Sequence, residues 1–196
     1  MQPHFSKGSA DTYAFVFSCP GKYEESAMHP AAGKTGCNLE TLLELLSARL
    51  EQEALTRRCV TITNAWSQVE YQEHSGRSEA TDVQIRSEAN IGRLARELQH
   101  VTEMIIFCGS KAKVAFNELV RLKHITKPIK IAFVEHLGAR GLLSIRNDIR
   151  GTLIVAAKEQ RRLGRQSALK AIQAENTYRR LEVVAQRLLD SVTPLG

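Results

Sequence analysis

No stretch of this 196-residue chain approaches the roughly 20 consecutive apolar residues that a membrane-spanning helix needs. The opening MQPHFSKGSADTYAF has no apolar run ahead of a small-residue cleavage site, so no secretory signal is expected and a cytoplasmic location follows by default. Cysteine is scarce and dispersed. Cys19, Cys37, Cys59 and Cys108 form no CxxC pair, which removes the usual opening of a zinc or iron–sulfur site. Buried, reduced thiols are expected, and neither a metal nor another cofactor. Internal repeats and low-complexity segments are lacking, and tryptophan occurs once, at Trp66. Acid is in deficit, with 27 Lys and Arg against 21 Asp and Glu and a net charge of +6. From Arg140 to Asp190 eleven basic residues face five acidic ones, which equals the whole surplus. Such a basic third suits a phosphate backbone, although a solvated basic helix would carry the same charge.

What is present is enough for one core. Apolar residues make up 43% of the chain, and its length suits a single domain over 1–196 with a basic helical extension from about 146. Short apolar runs alternate with helical periodicity. Tyr13–Phe17 (YAFVF), Cys59–Thr63 (CVTIT), Glu103–Cys108 (EMIIFC) and Pro128–Val134 (PIKIAFV) are expected as strands. Asn38–Glu53 carries Leu39, Leu42, Leu43, Leu46 and Leu50 on one helical face. A helix capped by Asp82 should run to about Gln99 with Ile85, Ile91, Leu94 and Leu98 inward. Another should run from Lys111 to about Leu122. A long closing helix should start near Leu163 with Leu181, Val184, Leu188 and Val192 in register, while Ser67–Ala80 reads as a polar loop. This alternation predicts an α/β protein, three-layer α/β/α, around a central four-stranded parallel sheet. Ligands of such sheets bind beyond the carboxyl ends of the strands, which directs attention to four turns.

Those turns are FSCPGKYEE (Phe17–Glu25), TNAW (Thr63–Trp66), CGSK (Cys108–Lys111) and EHLGARG (Glu135–Gly141). The first holds Pro20-Gly21 and then Glu24-Glu25. Downstream, Pro30-Ala31-Ala32-Gly33 and Gly36 open a Leu-rich helix in the form P-x-x-G-x-x-G. Asn64 ends the second strand, Gly109 and Ala115 follow the third, and His136 ends the fourth. In this order, over about Tyr13 to Leu142, the sequence resembles the uracil-DNA glycosylase superfamily.

The resemblance implies a uracil-DNA glycosylase-like fold and a hydrolase that breaks the N-glycosidic bond of a flipped-out base, leaving an abasic site. The partner would be DNA, single- or double-stranded, met by a monomer. His136 would donate to a base carbonyl as negative charge develops there, and Asn64 would read the base edge. Glu24 or Glu25, or Glu135 beside the histidine, would supply a carboxylate. Cys19, Pro20, Gly21, Tyr23 and Ala31 would contact the substrate, with backbone N–H groups around Gly21 holding the nucleotide. Ser110 and Lys111 would hold a phosphate. The loop Leu137–Leu142, including Gly138, would enter the minor groove with Leu137 or Arg140 filling the vacated space. Arg161, Arg162 and Arg165 would be solvated or near phosphate.

The sequence departs from the family pattern twice. Ser18 and Cys19 stand where an Asp, Asn or Glu usually precedes the motif proline, and Ala31 stands where an aromatic residue often stacks on the base. The second departure predicts a pocket for a base larger than uracil, such as a bulky modified pyrimidine, with Tyr23 or His29 as replacement stacking partners. Genome repair and antiviral defence both remain open, as does a non-catalytic DNA-binding or base-sensing module on the same fold. A hydrolase of free nucleosides is a third reading. The GKT at Gly33–Thr35 does not make a P-loop, because Met28 stands where the first glycine must be and the strand ends well upstream.

Overall fold

The computed structural model describes residues 2–50, 55–164 and 168–192. Its elements in chain order are β1 (Phe5–Ser6), β2 (Tyr13–Phe17), α1 (Lys22–Ala27), α2 (Gly33–Leu50), β3 (Thr61–Asn64), α3 (Gln72–Ser75) and α4 (Asp82–Arg86). There follow α5 (Glu88–Leu98), β4 (Met104–Cys108), α6 (Ser110–Arg121), β5 (Lys130–Val134), α7 (Ala139–Leu142), α8 (Ala157–Arg162) and α9 (Leu169–Val192). None of these helices is long and apolar enough to cross a membrane.

The protein is α/β, with a mixed sheet of five strands rather than a parallel sheet of four. Its order is β1-β3-β2-β4-β5. The four expected strands are parallel to their neighbours, and the addition is β1, which pairs antiparallel with β3 through Phe5↔Thr63 and Ser6↔Ile62. Two residues are too few to leave a period-2 signal in a sequence, so β1 was not legible there.

Helices cover both faces because the central strands are apolar on both sides. Phe15, Phe17, Ile62, Met104 and Ile106 point to one face and pack with Leu39, Leu42, Leu43 and Leu46 of α2 and Leu181, Val184, Ala185 and Leu188 of α9. Ala14, Val16, Ile105 and Phe107 point to the other and meet Ile85, Ile91, Leu94, Ala112, Ala115 and Leu119 of α4, α5 and α6. The basic C-terminal segment therefore builds part of the core through α9. The Val192 side chain, Glu51–Glu53 and Arg165 lie outside the described residues.

The expected helix from Asp82 to Gln99 is two helices. Ser87 adopts extended backbone (φ −60°, ψ 135°), and its hydroxyl donates to the Gln84 carbonyl at 2.9 Å. Thr81 rather than Asp82 caps α4, accepting the Gln84 N–H at 3.3 Å. The break lets Asn90, at the start of α5, turn inward. Its amide donates to the carbonyls of Ala65 and Ile85, each at 2.8 Å. Arg93 Nη2 donates to the Asn64 carbonyl at 2.9 Å, and Arg93 Nη1 pairs with Glu97 at 2.5 Å. Glu97 in turn accepts the Thr63 hydroxyl at 2.6 Å. This network secures the carboxyl end of β3.

The chain leaves β2 for β3 on one side, and leaves β4 for β5 on the other. The crevice at such a switch point lies between the carboxyl ends of β2 and β4.

Asn90→Ala removes the side-chain donor of the Ile85 carbonyl and leaves the Ala65 carbonyl only the longer bond from Arg93 at 3.4 Å. It should lower unfolding stability by about 1–3 kcal/mol, read as a lower urea midpoint with an unchanged slope.

Candidate active site

Beyond the carboxyl ends of the strands the loops enclose a cleft of about 170 Å³, lined by Phe17, Ser18, Cys19, Ala31, Asn64 and His136 among others. Backbone bonds continue the strand pairing into its walls. The Ala65 N–H donates to the Phe17 carbonyl at 2.7 Å, and the Trp66 N–H to the Ser18 carbonyl at 3.0 Å. This continuation brings TNAW against FSCPG.

Asn64 is 2% exposed, and its Oδ1 is buried without a hydrogen-bond partner. An unpaired buried acceptor costs on the order of 1–3 kcal/mol, so its retention calls for an explanation. Asn64 lines the cleft, and a donor on a bound ligand would satisfy this oxygen.

His136 leaves β5 into a very tight loop. The Gly138 N–H donates to its Nδ1 at 2.9 Å, so Nδ1 is the unprotonated nitrogen and the neutral ring carries its proton on Nε2. Three glycines press on this residue. A Cβ on Gly138 would stand 2.9 Å from Nδ1, one on Gly141 2.0 Å from the His136 carbonyl oxygen, and one on Gly109 3.0 Å from the His136 Cβ. The ring meets Phe17 edge-on, with centroids 5.8 Å apart. Burial lowers the His136 pKa, outweighing the upward pull of the Glu79 and Glu24 charges. A neutral Nε2–H donor and an unpaired carbonyl acceptor thus belong to residues lining the same cleft.

The segment between α1 and α2 is strained. Met28 (φ 54°), Ala31 (φ 49°) and Gly33 (φ 58°) all occupy the left-handed region, which side chains other than glycine rarely adopt. Two clamps hold it. Glu24 accepts the Gly21 N–H through Oε2 and the Ala32 N–H through Oε1, each at 3.0 Å. Arg57 donates to the Ala31 carbonyl at 2.9 Å and to the Pro30 carbonyl, and contacts His29 Nδ1 at 3.0 Å. Gly36 allows the closest approach, since a Cβ there would sit 2.1 Å from the Ala31 oxygen.

Several expected site residues stand elsewhere. Glu25 does not line the cleft and accepts the Tyr71 hydroxyl at 2.9 Å. Tyr23 is 71% exposed and lies over Gly33, so neither it nor the Arg57-bound His29 supplies a stacking face in the cleft. Leu137 is fully buried in the core, and its carbonyl accepts Asn38 Nδ2 at 2.6 Å, which bars it from pressing into a groove. Lys111 pairs with Asp82 at 2.7 Å and ties α6 to α4. The Gly21 N–H is already taken by Glu24. The Cys19 thiol is pushed up mainly by burial and stays protonated. Pro20 is buried in the cleft wall, its carbonyl accepting the Glu70 N–H at 2.9 Å.

The cleft opens into a wider trough of about 800 Å³, bounded by Ser110, Lys113, Glu135, Gly138, Arg140 and Arg187 among others. Ser110 begins the twelve-residue α6, and Arg140 is exposed. Lys113 lies 5.5 Å from the centroid of the Phe133 ring, and Arg187 pairs with Glu135. The second Glu135 oxygen is buried without a partner. Lys113, Arg187, Arg57, Thr35, Glu70 and Glu79 are site residues that sequence reasoning missed. Thr35 sits at an unspecified position of the P-x-x-G-x-x-G segment, and the others come from helices or loops with no motif of their own. Only the i,i+3 step from Ser110 to Lys113 on one helix hinted at such a role.

In the folded protein the His136 pKa lies below the ordinary imidazole value of about 6.5. As pH falls the unfolded chain takes up the proton first, so the stability due to this residue is complete above that value and is lost as pH falls through the folded one. A ¹⁵N NMR titration should show the Nε2–H form and a midpoint below 6.5. In thermal unfolding, His136→Gln should remove this part of the acid sensitivity.

No protein-family model matches the chain, and no curated protein matches its sequence.

Proposed function

We propose that the protein is a DNA glycosylase that hydrolyses the N-glycosidic bond of a flipped-out base and leaves an abasic site, on a fold like that of the uracil-DNA glycosylase superfamily. One observation carries the reading. In a narrow cleft at the switch point of the sheet, the buried unpaired acceptor of Asn64 stands with the neutral imidazole donor of His136, and the cleft opens into a basic trough. A pyrimidine edge offers the matching N–H and carbonyl, and the trough offers Lys113, Arg140 and the start of α6 to the flanking phosphates.

The chemistry follows from these groups. Cleavage moves an electron pair onto the departing base, and the His136 Nε2–H meets the carbonyl oxygen on which that charge settles. A neutral donor suffices, because the benefit comes from its being held in place before charge develops. Asn64 aligns the base edge so that this oxygen lies within reach.

A base with a bulky substituent is favoured over uracil. The wall at Ala31 presents a methyl group, Ala32 follows it, and neither Tyr23 nor His29 lines the cleft. No aromatic ring from this segment stands against a base in the cleft.

The test is incubation of purified protein with DNAs carrying uracil, other deaminated bases or bulky modified pyrimidines, with released bases detected by mass spectrometry. Bulky pyrimidines should be released faster than uracil. His136→Ala should slow release by about 100-fold or more while leaving salt-dependent DNA binding in place. DNA binding with no release from any substrate would make the protein a non-catalytic base-sensing module instead.

A further inference from the structure

The Ser18–Cys19 turn leaves the first loop without a carboxylate, and the geometry points to Glu79 as its replacement. We infer that Glu79 takes the proton from the water that attacks the sugar. This assignment rests on the glycosylase reading above.

The cleft and the trough share only Ser78, Glu79 and His136. With a base in the cleft and its flanking phosphates in the trough, the glycosidic bond crosses that boundary. A group acting on the sugar must therefore stand there, and Glu79 is the boundary carboxylate. Burial dominates the titration of both His136 and Cys19, lowering the one and raising the other, and the Glu79 charge adds a smaller upward pull on each.

The other acidic side chains near the site are either bonded or stand off the boundary, as Glu135 does, whose second oxygen is unpaired but lines the trough alone. Each oxygen of Glu24 accepts a backbone N–H. Glu70 is 4% exposed and bound to Arg77 at 3.3 Å and Gln84 at 3.4 Å. Glu135 lines only the trough and pairs with Arg187. Glu25 faces Tyr71. No hydrogen bond or salt bridge engages Glu79 among the described residues, and it is solvent-exposed, so water reaches it. The unpaired Asn64 oxygen is an independent mark that this cleft is built around a ligand.

The step balances as a hydrolysis. The water oxygen forms a bond to the anomeric carbon as the carbon–nitrogen bond breaks, and that bond's electron pair leaves on the base. The His136 donor stabilises the base anion, Glu79 accepts the proton released by the water, and solvent later protonates the base. Before water arrives, the Glu79 charge also favours the positive character building on the sugar.

Single-turnover base release by Glu79→Gln should fall about 100-fold or more with DNA affinity unchanged. Glu79→Asp should keep part of the rate, and added formate should partly restore Glu79→Ala. A Glu79→Gln protein that releases base at the wild-type rate would overturn the assignment while leaving the glycosylase reading intact. If the wild-type protein releases no base from any DNA, both fall together.

Discussion

The bond from the Gly138 N–H to His136 Nδ1 determines which nitrogen of the imidazole carries the proton, and the rest of the site is arranged around that outcome. It forms only because β5 ends where its loop can double back, with Gly138 and Gly141 admitting the His136 ring and carbonyl at distances no side chain would tolerate. Gly109, at φ +91°, closes the same space from the β4–α6 turn, and its N–H donates to the Val134 carbonyl at 2.8 Å. The loops after β4 and β5 are therefore one packed unit, anchored below by Leu137 and Leu142 in the core. A buried neutral imidazole with a fixed tautomer is a donor that needs no reorganisation when charge appears opposite it.

The opposite wall is held by charge acting at short range. Glu24 joins Gly21 to Ala32, and Arg57 binds the carbonyls of Pro30 and Ala31, so two charged side chains restrain a segment whose backbone is otherwise unfavourable at Met28 and Ala31. Behind Asn64 the Asn90–Arg93–Glu97 network saturates the carbonyls at the end of β3 but leaves the Asn64 Oδ1 unpaired. The contrast is informative. The carbonyls behind the site are satisfied, whereas Asn64 Oδ1 in the cleft, Glu135 Oε2 in the trough and the nearby Trp66 Nε1 are left unpaired.

Electrostatics divide the concave surface in two. The cleft is lined by Glu24, Glu70 and Glu79, whereas the trough presents Lys113, Arg140 and Arg187 together with Glu135, which pairs with Arg187, and the shared Glu79. Much of the C-terminal positive charge is not part of this field. Arg179 pairs with Asp148 at 2.6 Å, and Arg180, 7% exposed, caps the Ile145 and Asn176 carbonyls.

Local pattern was enough for the α/β class, the four parallel strands, the apolar faces of the helices though not all of their bounds, and the four turns beyond the strands. These depend on local periodicity and on glycine or proline at turns, which each segment carries within itself. The positions of Asn64 and His136 were legible for the same reason, since Asn64 closes β3 and His136 lies two residues past the end of β5. Tertiary structure alone decided that β1 extends the sheet, that Leu137 turns into the core and Lys111 toward Asp82, and that Glu24 clamps the backbone while Glu25 faces Tyr71. It also brought Glu79 to the cleft and Arg57 to the Pro30 and Ala31 carbonyls from segments without a motif. Side-chain direction in a loop depends on partners far away in the chain, and no local pattern encodes which of two adjacent glutamates will find a backbone N–H.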